Sequence, residues 1–86
     1  MTYQVLIEAR AAKQLEKLPK PVVERIDNAI VSLSANPRPF SSKMLRGRFK
    51  EGWRLRIGDY RVLYRIDDQS HEVSILKVGH RREIYR

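Results

Sequence analysis

Eighty-six residues make one domain, 1–86, and a chain of that length buries only roughly 60–65% of the surface its unfolded state exposes, so the core is thin. With 42% hydrophobic and 33% charged residues the composition is that of a folded protein rather than a disordered chain, and the absence of cysteine excludes disulfides, cysteine–zinc sites and thiol nucleophiles. The net charge of +8 points to a polyanionic partner, whether nucleic acid, anionic lipid or an acidic protein, against the plainer reading of a solvated surface. In chain order, Tyr3–Ile7 has the β-branched and aromatic content of a strand. Ala9 to Leu18 places Ala11 or Ala12, Leu15 and Leu18 at helical spacing before Pro19 and Pro21 stop it. Lys20 to Ala35 carries Val22, Val23, Ile26, Ala29, Ile30 and Leu33 on one stripe, with Pro21 tolerable in the first turn. Asn36 to Ser42, with two prolines, is the one clear break.

The second half reads as strands: Met44–Gly47 leads to Trp53–Ile57, Tyr60–Ile66 and, after a polar turn, Val73–Val78. The fold class is therefore α+β, with an N-terminal strand, a two-helix hairpin, an antiparallel meander of three to four strands and a short C-terminal tail. Gly58-Asp59 suits a two-residue hairpin turn with glycine first, which sets Ile57 opposite Tyr60, Arg56 opposite Arg61, Leu55 opposite Val62 and Arg54 opposite Leu63. Alternation then puts Trp53, Leu55, Ile57, Tyr60, Val62, Tyr64 and Ile66 on one face and Arg54, Arg56, Arg61 and Arg65 on the other, solvated one. The register of the last strand stays open, since both of its faces are partly apolar.

Charge is unevenly placed. Residues 1–42 hold six Lys/Arg against four acids, whereas residues 43–86 hold twelve against six. Like charges directly opposite across a strand pair are destabilising, so Arg56 against Arg61 breaks a pairing rule, and such breaks concentrate at functional sites. Guanidinium forks match phosphate oxygens, which makes an anion the natural occupant; pairing of each arginine with an acid of its own chain is the alternative, with Glu51 and Asp59 as the acids between 43 and 65. The tail Val78-Gly79-His80-Arg81-Arg82-Glu83-Ile84-Tyr85-Arg86 adds an imidazole, a phenol and further guanidiniums, each of which is also compatible with a plain surface role. No metal-ligand spacing, paired carboxylates or phosphate-cradling glycine loop is present, so neither metal nor cofactor is expected. The N-terminus lacks the pattern of a secretory signal and no apolar run approaches ~20 residues, which points to the cytoplasm and away from membranes.

Leu45-Arg46-Gly47, Trp53–Ile57, Gly58–Tyr64 and the tail from Val78, in this order of elements, resemble the RelE/ParE toxin superfamily, and its RelE branch most. The resemblance spans the chain. It implies the toxin of a type II toxin-antitoxin pair, a ribosome-dependent, metal-free endoribonuclease that cuts messenger RNA in the decoding site through attack of a 2′-hydroxyl, leaving a 2′,3′-cyclic phosphate. Carried over by position, the catalytic set is Arg54, Arg56, Arg61, Arg81 and Tyr85, with His80 as a further acid-base candidate. Lys43, Arg46, Arg48, Lys50, Arg65 and Arg82 are the implied contacts to RNA and ribosome. The first two catalytic positions are lysines in the best-known members; arginine here keeps its charge and cannot act as a base. Tyr85, which matches the family's position, is the better base candidate that the resemblance implies. The implied partners are the ribosome, its message and an acidic antitoxin, RelB-like or of another family, in a hetero-oligomer. A gyrase poison of the ParE type and a non-enzymatic basic RNA-binding module are the competing readings.

Overall fold

A computed structural model describes residues 2–45 and 52–85. The chain runs β1 (Gln4–Ile7), α1 (Ala9–Glu16), α2 (Lys20–Ser32), β2 (Ser42–Met44), β3 (Gly52–Ile57), β4 (Tyr60–Asp67) and β5 (Glu72–His80). The strands form a single sheet in the order β1-β5-β4-β3-β2, with β1 parallel to β5 and the other pairs antiparallel. The α+β class and the order of elements agree with the sequence reading. The sheet has five strands, because the N-terminal segment joins the meander by pairing beside β5 and Ser42–Met44 adds the opposite edge. Among the described residues no helix is long and apolar enough to cross a membrane.

Both helices bury their stripes in one core with the same side of the sheet. Ala11 and Leu15 of α1, Ile26, Ile30 and the C-cap Leu33 of α2, and Leu55, Val62, Tyr64, Val73, Ile75 and Val78 of the strands make up that cluster. Pro19 caps α2 without a side-chain bond, and Pro21 sits in its first turn, where its missing N–H costs nothing. Tyr64 is fully buried and donates its hydroxyl to the Pro37 carbonyl at 2.8 Å, so the loop after α2 is tied to the middle of the sheet. Burial pushes the Tyr64 phenol above its ordinary pKa.

The open register of the last strand has a physical cause. β4 and β5 pair regularly from Tyr60 with His80 to Leu63 with Lys77, after which Tyr64 pairs with Ile75, leaving Leu76 as an extra residue. That bulge changes the phase of β5, so its core positions are Val73, Ile75 and Val78 instead of a strict alternation.

A second set of contacts clamps the far end of the sheet. Arg38 makes a two-pronged ion pair with Asp68, with Nη2 at 2.7 Å from Oδ2 and Nη1 at 3.3 Å from Oδ1, and Tyr3 donates its hydroxyl to Asp68 Oδ1 at 2.6 Å. The Arg38 guanidinium also lies 5.2 Å from the centre of the Trp53 ring. The residue before β1 and the loop before β2 thus meet at one carboxylate of the β4–β5 turn, with β3 joined through the ring of Trp53 on Arg38. Arg38, and then Tyr3, hold the Asp68 carboxyl below the usual carboxylate range. A depressed folded-state pKa contributes stability that is complete above the unfolded value near 4 and disappears as pH falls through the folded value. Thermal melts of wild type and Asp68→Asn should therefore differ at pH 6 and converge as pH drops below about 4. An equal difference at pH 3 and pH 6 would show that ionisation of Asp68 is not what holds the clamp.

Candidate active site on the arginine face

The β3–β4 hairpin has the register expected from its turn: Ile57 faces Tyr60, Arg56 faces Arg61, Leu55 faces Val62 and Arg54 faces Leu63. Gly58 takes φ +58° while Asp59 is not in the positive-φ region, the arrangement of a turn that wants glycine first. A Cβ at position 58 would also lie 3.0 Å from the Arg25 guanidinium of α2, which packs on the turn. Pairing extends the cationic face outward, since Lys43 of β2 is opposite Arg54 and Arg65 is opposite Gly52 and Ser74. Lys43, Arg56, Arg65, Arg81 and Arg82 are exposed. Arg46, Arg48 and Lys50 lie outside the described residues.

The structure corrects one part of the sequence reading. Arg61 was expected to be solvated, yet it is only 9% exposed. The arginine face is not open throughout: Leu63 beside it is 2% exposed, and the tail folds back so that Ile84 is 1% exposed with its Cδ1 close to Gly79, the partner of Arg61 on β5. Arg61 Nη1 donates to the carbonyls of Gly58 at 2.8 Å and Tyr60 at 2.9 Å, which pins the guanidinium over its own turn. Burial, followed by the charges of Arg54, Arg56 and Arg81, lowers its pKa, while Tyr85 opposes the shift. The pairing has the same sense: Arg56 faces Arg61 across the hairpin, Arg54 lies two residues further along β3 on the same face, and the Asp59 carbonyl holds the Arg81 N–H at the turn. The Nε of Arg54 is buried and has no hydrogen-bond partner among the described residues.

The tail is held by the hairpin turn. Arg81 N–H donates to the Asp59 carbonyl at 2.8 Å, and its Nε is 3.9 Å from Asp59 Oδ1, an exposed pair that guides more than it stabilises. The N–H groups of Glu83 and Ile84 donate to the His80 carbonyl, which closes a tight turn, and Ile84 anchors it. Tyr85 follows with its ring 43% exposed and within electrostatic reach of Arg61. His80 is placed apart from this group. It pairs with Tyr60, whose ring packs against the helix-side core, and the two rings meet edge to face at 5.5 Å. Its Nδ1 accepts the Arg82 N–H at 3.1 Å. Residue-type reasoning missed Asp59 and Ile84, which hold the tail; the one apolar residue in a polar tail was the available signal for Ile84.

A buried guanidinium among like charges is held at a cost in stability, and apolar replacements of buried charged groups are often neutral or stabilising. Arg61→Met should therefore melt no lower than wild type. A fall in Tm corresponding to more than about 1 kcal/mol, roughly 4–8 °C in a domain of this size, would show that the two carbonyl bonds outweigh the repulsion.

Comparison with known proteins agrees with this arrangement. Residues 5–85 match a family model described as the ParE toxin of the type II toxin-antitoxin system, parDE. Toxin RelG of Mycobacterium tuberculosis is 39% identical over 87 residues, covering 100% of this chain and 99% of the relative. Toxin RelE of the same organism is 36% identical over 85 residues, covering 98% and 87%. Among solved structures, the toxin-antitoxin complex RelBE2 of M. tuberculosis contains a chain with a TM-score of 0.85 at 34% identity, covering 93% of this chain and 99% of that one. The archaeal RelE–RelB complex of Pyrococcus horikoshii gives 0.82 at 33% identity, covering 96% and 99%. Matched along almost its whole length by the family model and by RelE-type toxins alike, the chain belongs to the RelE/ParE family of toxins of type II toxin-antitoxin systems.

Proposed function

We propose that this toxin is a ribosome-dependent endoribonuclease that cleaves messenger RNA in the decoding site and so stops translation. The observation that carries the reading is the placement of Arg54 and Arg56 across the hairpin from a buried Arg61, with Arg81 held on the Asp59 carbonyl of the same turn. In the reaction, the ribose 2′-oxygen attacks the adjacent phosphorus, the bond to the 5′-oxygen breaks, and a 2′,3′-cyclic phosphate and a 5′-hydroxyl result. Arg61 and Arg81 neutralise the non-bridging oxygens of the phosphorane, with Arg54 and Arg56 completing the cationic wall; cations fixed beforehand do this without reorganising. Tyr85 acts as the general base that takes the 2′-hydroxyl proton. Arginine cannot exchange a proton, and His80 lies on the other side of the sheet from Arg61, so the leaving 5′-oxygen draws its proton from water. The reaction as written moves protons and no electrons, and calls on no metal or cofactor.

The family model's description favours a second reading, poisoning of DNA gyrase. One set of assays separates the two: mapped message ends with purified ribosomes, and supercoiling with gyrase. Ribosome-dependent cuts within codons support the nuclease; inhibited supercoiling with intact message replaces it with the gyrase poison. Because Arg61 is buried, alanine would leave a hole, and methionine is the cleaner substitution. Arg61→Met should lower ribosome-dependent cleavage by about 10²–10³, the usual effect of removing one preorganised donor. Wild-type toxin should cut a bare oligonucleotide far more slowly than message on the ribosome, which must align the 2′-oxygen in line. Near-wild-type cleavage by the variant, or fast cutting of naked RNA, would sink the assignment.

The relatives crystallised with RelB point to a partner for this chain as well. A face bearing Arg54, Arg56, Arg65 and Lys43 fits an acidic antitoxin segment, poorly ordered alone, that folds as it binds across the arginines or against the tail. The product of the neighbouring reading frame should bind tightly, lose affinity steeply as salt rises from 50 to 500 mM, and block cleavage. Tight binding that leaves cleavage untouched would refute this placement.

A further inference from the structure

On the other side of the tail lies a second basic hollow that the proposed reaction does not use. Strand β1 accompanies β5 only from Glu72 to Ile75, so the rest of β5 has an open edge, and α1 runs alongside it. Arg10, Gln14 and Lys17, at spacings of four and three on one face of α1 and its cap, line a hollow of about 500 Å³ together with Lys77, Tyr60 and His80. Gln14 fixes the geometry, since its Oε1 accepts the Val78 N–H at 2.8 Å, a backbone donor that a β1 of greater length would have taken. Three basic side chains and an imidazole thus line one space, with Glu83 the one acid among the described residues around it. Lys77 has its pKa lowered by burial and then by the charge of Arg10, the mark of cations kept close together in partial desolvation.

Cations alone fit any anion. The wall opposite the helix is aromatic, however, formed by Tyr60 and His80 in edge-to-face contact. A stacking surface beside backbone-neutralising cations is how proteins hold single-stranded RNA, and it exceeds what an acidic side chain needs. We propose that this hollow is a second RNA subsite, taking one nucleotide of a single strand with its phosphate on Arg10, Lys17 and Lys77 and its base against Tyr60 and His80. The inference rests on the nuclease reading and extends it. The strand would pass the tail that carries Arg81 and Tyr85, with the hollow on one side and the arginine face on the other, so an RNA held in both is fixed in register at the reacting phosphate. His80 then has a role, as a ring and not as an acid.

The test uses the full chain and a fluorescent hexauridylate, with affinity measured as a function of salt. Arg10→Gln/Lys17→Gln, both at exposed positions of the α1 face, should weaken binding about tenfold at 50 mM salt. It should also make the slope of log affinity against log salt shallower by about 0.7, the value for one single-strand phosphate contact. His80→Phe should keep the affinity and His80→Ala lose it, since the ring and not its proton is in use. Should the double variant fold poorly, the ring protons of Tyr60 and His80 in wild type serve instead, and should shift on titration with uridine 5′-monophosphate. Wild-type affinity and slope in a folded double variant, or unmoved ring protons, would overturn the subsite. So would a double variant that binds RNA normally but loses the antitoxin, which would make the hollow a protein site. Failure of wild type to cut message on ribosomes is a separate result that overturns the nuclease reading, whatever the hexauridylate shows.

Discussion

The register of the β3–β4 hairpin is the constraint on which the site depends. Side chains alternate with a period of two, so a slip of one residue would turn Leu55, Val62 and Tyr64 to solvent and drive Arg54, Arg56 and Arg61 into the helix-packed core. Burial of those apolar side chains against α1 and α2 is far larger than the few tenths of a kcal/mol to roughly 1 that the opposed arginines cost. The apolar face therefore imposes the cationic one, and the Gly58 turn fixes where it ends. Repulsion at Arg61 is tolerated because it cannot be relieved without unpacking the core.

The same hairpin brings in the tail, which has little affinity of its own for the sheet. β5 extends past its β1 neighbour to His80, and the bulge at Leu76 resets its phase so that Val78 is buried and Gly79 comes beside Arg61. Two anchors do the rest: the Asp59 carbonyl holds the Arg81 N–H, and Ile84 buries beside Gly79. Between and after those anchors the polar residues 82, 83 and 85 stay exposed. A tail anchored in this way over a preformed face is ordered enough to preorganise charge, and a partner that competes for those anchors would disassemble the site.

Legibility in the sequence followed the range of the interactions. The hairpin register was readable because glycine at the first turn position and strict alternation over Trp53–Ile66 are local signals, and the two helices because Pro19 and Pro21 separate two clear stripes. The pairing of β1 beside β5 was not, since parallel neighbours distant in sequence leave no local mark. The bulge hid the phase of β5, and with it the side of the sheet on which His80 lies. Burial of Arg61 was equally out of reach: alternation assigns a face, but what covers that face, here Leu63 and the returning Ile84, depends on the tertiary fold.

Arginine rather than lysine at positions 54 and 56 decides what the face can do. A lysine crowded by cations can lose its proton and serve as a base; a guanidinium so crowded stays charged and keeps its planar fork of donors. On the proposed mechanism Arg54, Arg56 and Arg61 of the sheet supply electrostatics, while the tail brings both the cation Arg81 and the base Tyr85. The two elements, sheet and tail, are joined through Asp59 and Ile84. On the proposed mechanism, disturbing the tail removes the base while leaving the cationic face and its affinity for RNA in place. A toxin silenced at the tail would still bind its substrate, whereas one covered across the arginines would not, so RNA binding by the inhibited complex reports which surface the antitoxin takes.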